Sequence, residues 1–408
     1  MTTPGRHRIA ELPIGRRIAQ LRARRGLTQQ VFADRIGKSH SWVDKVERGI
    51  RSLDRISVVH TVAAVLGVTP DVILGPTTSR PEPTTDTTTA AVEHLRAALA
   101  RYDTPTPDQP SPSVEDLHRL IQYAHSAYQH AHYPQLLRTL PDLLTHTRHA
   151  ATGDATDTAY LLTRLYRLTA HLLTKLDEPH LAWLAADRAI TTANGHPRHT
   201  AAAVIALTQA LRALHRPALA TQAALTAVPL IDPATTDHPT PDDHALAGTL
   251  LIEAALAAAT GNDPATAHHL TDHADKHAAA CHGRHRPEDN DTVPGFGPAA
   301  VAIARAHIAL ILGNPHQAIT HHQHATTSHG WPELPAEHRA AHLIDITRAY
   351  LDTGNPTTAT RAIITADQTA PAETRTRPAA HRVITTLLQT NPTPDLTRLA
   401  ATIGLAPP

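Results

Sequence analysis

The stretch Thr28-Gln29-Gln30-Val31-Phe32-Ala33-Asp34-Arg35-Ile36-Gly37, followed after Lys38 by Ser39-His40-Ser41-Trp42-Val43-Asp44-Lys45-Val46-Glu47-Arg48-Gly49, decides the reading of this chain. Thr28 and Ser39 are side chains that cap helix N-termini, and Gly37 and Gly49 are stops. Between them Phe32, Ala33 and Ile36, then Val43 and Val46, recur at helical spacing. Two short helices joined by a tight glycine turn cross each other, and that crossing can set the second helix into a DNA major groove.

The pattern continues on both sides. Upstream, Pro13 suits a first helical turn, and Ile14, Ile18 and Leu21 form an apolar stripe that ends near Gly26. Downstream, Leu53 to Leu66 is amphipathic and stops at Gly67, and Thr69-Pro70 opens a last turn through Val72, Ile73 and Leu74. The expectation is a five-helix unit over residues 12–75. The chain carries 37 Lys/Arg and 37 Asp/Glu, a formal net charge of zero. Residues 1–75 nevertheless hold thirteen Lys/Arg against six Asp/Glu, a balance of +7, so the remainder is at −7. A basic head on an acidic body suggests that the head meets a polyanion and the body does not.

These residues resemble the helix-turn-helix of the phage-repressor-like (Cro/C1, or XRE) family. The likeness runs through Leu21-Arg22, Arg25-Gly26-Leu27-Thr28-Gln29, Ala33, Gly37, Ser39, Val43, Val46 and Glu47-Arg48-Gly49, then Ala63-Ala64-Val65-Leu66-Gly67-Val68. It implies a λ-repressor-like DNA-binding fold. By that resemblance Gln29 meets a DNA phosphate, and His40, Ser41 and Lys45 form the base-reading face, where Lys can donate to guanine O6 or N7. Lys38, Ser39, Arg48 and Arg51 would hold phosphates, and Arg22 with Glu47 would form a buried structural ion pair. Lys38 stands where the family commonly has an apolar residue, and Trp42 where it has a small one; both are expected against DNA backbone or a thymine methyl.

Pro76 to Thr89 contains almost nothing apolar and reads as a tether; Asp103 to Ser113 is a second break, isolating a short helix around Val92 to Leu99. Residues 76–113 are thus expected to be a flexible linker with one short helix. From Val114 a turn containing Pro recurs before alanine-rich amphipathic helices, with prolines at 179, 217, 264, 315 and 356, spaced by 38, 47, 51 and 41 residues. Helix–turn–helix units of this length suggest a tetratricopeptide-type solenoid over residues 114–408. Aromatics are only 3% of the chain, so Ala, Leu and Ile must fill the core, which suits close-packed helices. The fold class expected is all-α. The whole chain resembles multi-domain bacterial regulators joining a repressor-type head to a tetratricopeptide body, with Gly295-Phe296-Gly297-Pro298 similar to actinobacterial members. In such relatives the concave face binds a signalling peptide, a role implied here by analogy alone.

The chain has 32 histidines and one cysteine. His269, His273, His277 and Cys281 follow at i+4 steps along one helix side, near His282 and His285, and adjacent pairs could chelate zinc. A compositionally biased, solvated face is the expected reading, as for His321, His322, His324 and His329, so no metal and no cofactor are assigned. A single cysteine excludes an intramolecular disulfide. Hydrolase, P-loop, zincin and dinucleotide motifs do not occur, and no catalytic residue is assigned. No apolar run approaches membrane-spanning length, and the start lacks a signal-peptide core, so a cytoplasmic, nucleoid-associated protein is expected.

The partners expected are double-stranded DNA at a palindromic operator, a second copy of the chain, and a signalling peptide or small-molecule effector, with no membrane. The effector-binding residues are left open among Trp183, Tyr160, Tyr166 and Asn194. The competing expectation is a tetratricopeptide interaction scaffold, with the head serving as a DNA address or a protein contact.

Overall fold

Helix is the regular structure that forms wherever the chain is described: the computed structural model describes residues 14–48, 56–66, 68, 73, 85–101, 112–150, 155–231, 239–281 and 295–405. Among them are twenty α-helices and no strand. They divide into two compact units, residues 1–82 and 83–408.

In the first unit lie α1 (Ile14–Arg24), α2 (Gln29–Arg35), α3 (His40–Glu47) and α4 (Ile56–Leu66). Their stripes meet in a core of Ile18, Leu21, Phe32, Ala33, Val43, Val46, Val62, Ala63 and Leu66. The expected fifth helix falls almost wholly outside the described residues; Ile73 alone is described there, helical and buried. Gly15 lets α1 approach α3 backbone to backbone, since a Cβ there would lie 2.1 Å from the Val46 carbonyl oxygen. Arg17, on the apolar side of α1, is buried and donates to the Ile73 carbonyl at 2.6 Å. Burial lowers its pKa.

The second unit begins with α5 (Thr85–Ala100), a correction to the linker expected over 76–113. This helix is twice the expected length because its Val92, Leu95 and Leu99 find apolar partners and are buried. Arg148 anchors its end, donating to the carbonyls of Ala98 at 2.6 Å and Arg101 at 2.8 Å. Next come α6 (Val114–Gln129) and α7 (Tyr133–Ala150), the second of which carries Arg148, and the two pack on each other. Five helical hairpins follow: α8 (Ala155–Lys175) with α9 (Pro179–Ala193), α10 (Pro197–Ala213) with α11 (Pro217–Ala227), α12 (Pro241–Thr260) with α13 (Pro264–Ala280), α14 (Pro298–Ile311) with α15 (Pro315–Thr327), and α16 (Ala336–Asp352) with α17 (Pro356–Thr369). Short helices α18 (Pro371–Thr376), α19 (Pro378–Thr390) and α20 (Pro394–Thr402) end the unit.

One turn builds all five hairpins. Asp177, His215, Asn262, Gly313 and Gly354 each take a left-handed φ between 57° and 77°. The next residue then donates its N–H to the carbonyl five residues back: Glu178 to Leu173, Arg216 to Leu211, Asp263 to Ala258, Asn314 to Ala309, and Asn355 to Tyr350, at 2.8–2.9 Å. This closure caps the first helix, and the following proline starts the second with its φ already set. Alanines such as Ala182, Ala185, Ala186, Ala189, Ala254, Ala255 and Ala258 are buried and bring the paired helices close. The Phe296 ring lies on α12 at Gly248, where a Cβ would come within 1.9 Å of it.

Candidate nucleic-acid interface

Capping sets the position of α3. Thr28 Oγ1 accepts from the Val31 N–H at 3.2 Å, and Ser39 Oγ accepts from the Trp42 N–H at 3.2 Å. Between them Gly37, at φ 64°, makes the sharp reversal, and the Lys38 N–H closes on the Ala33 carbonyl at 2.9 Å. Val43 and Val46 bury the inner side of α3. Lys38, Ser39, His40, Ser41, Lys45 and Arg48 are all exposed.

The remaining predicted residues sit differently. Arg22 holds Glu47 through Nε at 2.6 Å and Nη2 at 3.0 Å, and its Nη1 donates to the Leu27 carbonyl at 2.6 Å. Gln29, expected at a phosphate, donates its side-chain amide to Glu47 Oε2 at 2.7 Å. It stands half-buried as the third member of this cluster. Trp42, expected on the DNA, is half-buried and packs on the core of the first unit. Arg48 pairs with Asp44 across one helical turn at 3.0 Å. Arg51 lies outside the described residues. The structure therefore brings His40, Ser41 and Lys45 to one exposed helix, with Lys38 and Arg48 at its two ends.

In the second unit a groove of about 430 Å³ runs between α14, α16 and α19. Leu310, Ile311, Ile344 and Val383 give it apolar walls, and His307, Asp345, Arg348 and Arg382 give it polar ones. His307 Nδ1 lies 3.7 Å from Asp345, and its side chain is 37% exposed. Desolvation lowers its pKa, and the Asp345 carboxylate acts against that shift. Further along the same row of helices, His171 Nδ1 meets Gln209 Oε1 at 2.8 Å and Gln209 donates to Glu253 at 2.7 Å.

The residues first considered for a ligand are dispersed. Tyr160 stacks on His199 at 4.6 Å with the Arg164 guanidinium over its ring, and Tyr166 is buried. Trp183 is 46% exposed on α9, and Asn194 is that helix's left-handed cap. On α13 the His269 and His273 rings lie 4.4 Å apart, while His277 turns to His244, with Nδ1 atoms 3.2 Å apart. Cys281 is buried, and burial pushes its thiol up to about 11. Among the described residues no three His, Cys, Asp or Glu side chains gather as metal ligands, and no helix is long and apolar enough to cross a membrane. His282 and His285 lie outside them.

Residues 13–73 match the helix-turn-helix domain family. The first unit is therefore a helix-turn-helix domain. No curated protein matches the chain. Among solved structures, PlcR of Bacillus thuringiensis, in complex with the peptide PapR7 and DNA, aligns over 77% of this chain and 95% of its own at 11% identity and a TM-score of 0.34. ComR from S. thermophilus, in complex with DNA and its signalling peptide ComS, aligns over 87% of this chain and 99% of its own at 11% identity and a TM-score of 0.30.

Proposed function

We propose that this chain is a sequence-specific, DNA-binding transcriptional regulator of the cytoplasm, whose repeat unit pairs two copies and receives an effector. The observation that carries the reading is α3 itself: a capped helix with His40, Ser41 and Lys45 exposed, held by the Arg22–Glu47 pair and by the close approach at Gly15. Lys45 offers donors to guanine, and Lys38, Ser39 and Arg48 offer donors to phosphates on either side. One such helix reads too few base pairs for useful specificity, so two copies act on a two-fold symmetric site. The groove between α14, α16 and α19 is the proposed effector site. Its apolar walls and fixed charges of both signs suit a short peptide, which carries the same mixture. No catalytic step is assigned to the chain. Electrophoretic titration of full-length protein on random-sequence and selected DNA tests the reading, because regulation through a site requires selectivity between them.

The scaffold reading rests on a separate observation. Trp183, Leu219 and Leu230 are 46%, 53% and 47% exposed on α9, α11 and the turn after α11. Large exposed apolar side chains there suit contact with another protein. Cross-linking in intact cells beside the purified protein, each followed by mass analysis, separates self-pairing from partner capture.

A further inference from the structure

The hairpins of the second unit do not run on as an open spiral; the last of them returns to the first. Lys175, at the end of α8, places Nζ 2.5 Å from Glu373 on α18 and also bonds Glu337 on α16. Tyr133 of α7 donates its hydroxyl to Glu373, and Arg377 Nη1 reaches the other oxygen of that carboxylate at 2.6 Å. The Lys175 ammonium lies 5.8 Å and 5.9 Å from the ring centres of Tyr128 and Tyr133. His338 Nε2 lies 3.0 Å from Glu337. On the outside of the same seam Arg382 of α19 lies 3.8 Å from Asp177. Around these groups α16 packs on α6, and α18 on α7.

Glu337 and Glu373 are buried, with side-chain exposures of 3% and 0%, and Lys175 is at 14%. A seam of this chemistry differs from the alanine-lined joints within the hairpins. Opening an apolar joint exposes surface that water disfavours. Opening a buried ion cluster returns each charge to water, which recovers most of the desolvation cost of closing it. The charged seam is thus specific when closed and less costly to part than an apolar joint of the same area.

We propose that the repeat unit opens and closes at this seam, with Lys175, Glu337 and Glu373 as its latch. The groove is coupled to the latch through shared helices. Ile344 and Asp345 line it from α16, which carries Glu337, and Arg382 lines it from α19 while facing Asp177 across the seam. An occupant that moves α16 or engages Arg382 shifts the balance between the two states by its difference in affinity for them. The Glu373 carboxylate of the latch stays charged near neutrality. Burial alone would raise the Glu373 carboxyl, but the Lys175 and Arg377 charges outweigh it and hold it down at about 2. The latch does not depend on what the groove binds or on the DNA reading.

Electron–electron distance measurement on full-length protein tests it, with Cys281→Ser as background and spin labels at the exposed positions 180 and 385, one on each side of the seam. The unmodified latch should give one dominant short distance. Lys175→Met and Glu373→Gln should each transfer population to a second, longer distance, with helical circular dichroism unchanged. Lys175→Met leaves two buried carboxylates without their lysine; if it does not fold, the charge-free Lys175→Met/Glu337→Gln/Glu373→Gln/Arg377→Met variant takes its place. The same short distance in every latch variant would overturn the proposal. So would global unfolding of the charge-free variant, because the cluster would then belong to the folding core.

Discussion

Arg22 and Glu47 form a two-pronged ion pair at 2.6 and 3.0 Å, and Gln29 adds a third hydrogen bond to the same carboxylate at 2.7 Å. The pair ties α1 to the end of α3, so the helix that faces outward is fixed from behind by charge as well as by Val43 and Val46. Removing one partner leaves the other charge nearly buried. Arg22→Ala should therefore lower the stability of the first unit by about 3 kcal/mol, and Gln29→Ala by about 1 kcal/mol. Thermal unfolding followed by near-ultraviolet circular dichroism in a Trp183→Phe/Trp331→Phe background, where Trp42 is the one tryptophan left, checks both values.

Two glycines act through the space they leave. At Gly15 an added Cβ would press on backbone, the Val46 carbonyl oxygen, which can move only with α3. Gly15→Ala should cost about 2 kcal/mol and weaken DNA binding together with stability. At Gly248 the obstacle is the Phe296 ring, a side chain. Gly248→Ala should cost a similar amount, and Phe296→Leu should recover part of it in a double-mutant cycle, the coupling being positive only if the two side chains meet.

Lys38 and Lys45 should separate affinity from specificity. Lys38→Ala is expected to weaken binding to all sequences alike and to reduce the salt slope by about one unit. Lys45→Ala should cost about 1–3 kcal/mol on the preferred site and little on random DNA. Titrations at several salt concentrations distinguish the two outcomes.

Acid should destabilise the second unit over a defined window. Desolvation holds His125 at about 3, with the Arg164 charge adding to it. Desolvation holds His171 at about 4, aided by Arg167, and His342 at about 3, aided by His322. These groups are neutral when folded and take a proton near pH 6.5 when unfolded. Their contribution is complete above that pH and is lost as pH falls toward 4, at about 1.4 kcal/mol per pH unit for each. Melting temperature should drop steeply between pH 6.5 and 4.5, and His342→Phe should flatten the slope. A constant melting temperature over that range would contradict the burial of these rings.

Cys281 should resist thiol reagents in the folded protein. Its burial and raised pKa leave almost no thiolate at neutral pH, so modification should follow the rate of unfolding. Labelling kinetics across a denaturant series measure this.

The local features were legible in the sequence because short-range chemistry determines them. Thr28, Ser39 and Gly37 announced the helix-turn-helix, and Pro179, Pro217, Pro264, Pro315 and Pro356 each begin the second helix of a hairpin. Arg17 carries a readable signal, since it falls on the stripe of Ile14, Ile18 and Leu21. The bond from Gln29 to Glu47 and the packing of Trp42 are tertiary, so the residues of α2 and α3 alone do not announce them. The helix from Thr85 was underestimated because its polar first turns hid the apolar side that α7 covers. Nothing local foretells that Lys175 meets Glu373, 198 residues on. That contact depends on the summed rotation of every hairpin between them.

The central claim is that the exposed face of α3 reads DNA sequence. Selection from a random DNA library with full-length protein, beside the His40→Ala/Lys45→Ala variant, tests it most directly. The account predicts that the native protein enriches a two-fold symmetric site and that the variant keeps its fold and its weak general affinity but loses the enrichment. If the variant enriches the same site, or if the native protein enriches none at low salt, the assignment of α3 as a base-reading helix is contradicted.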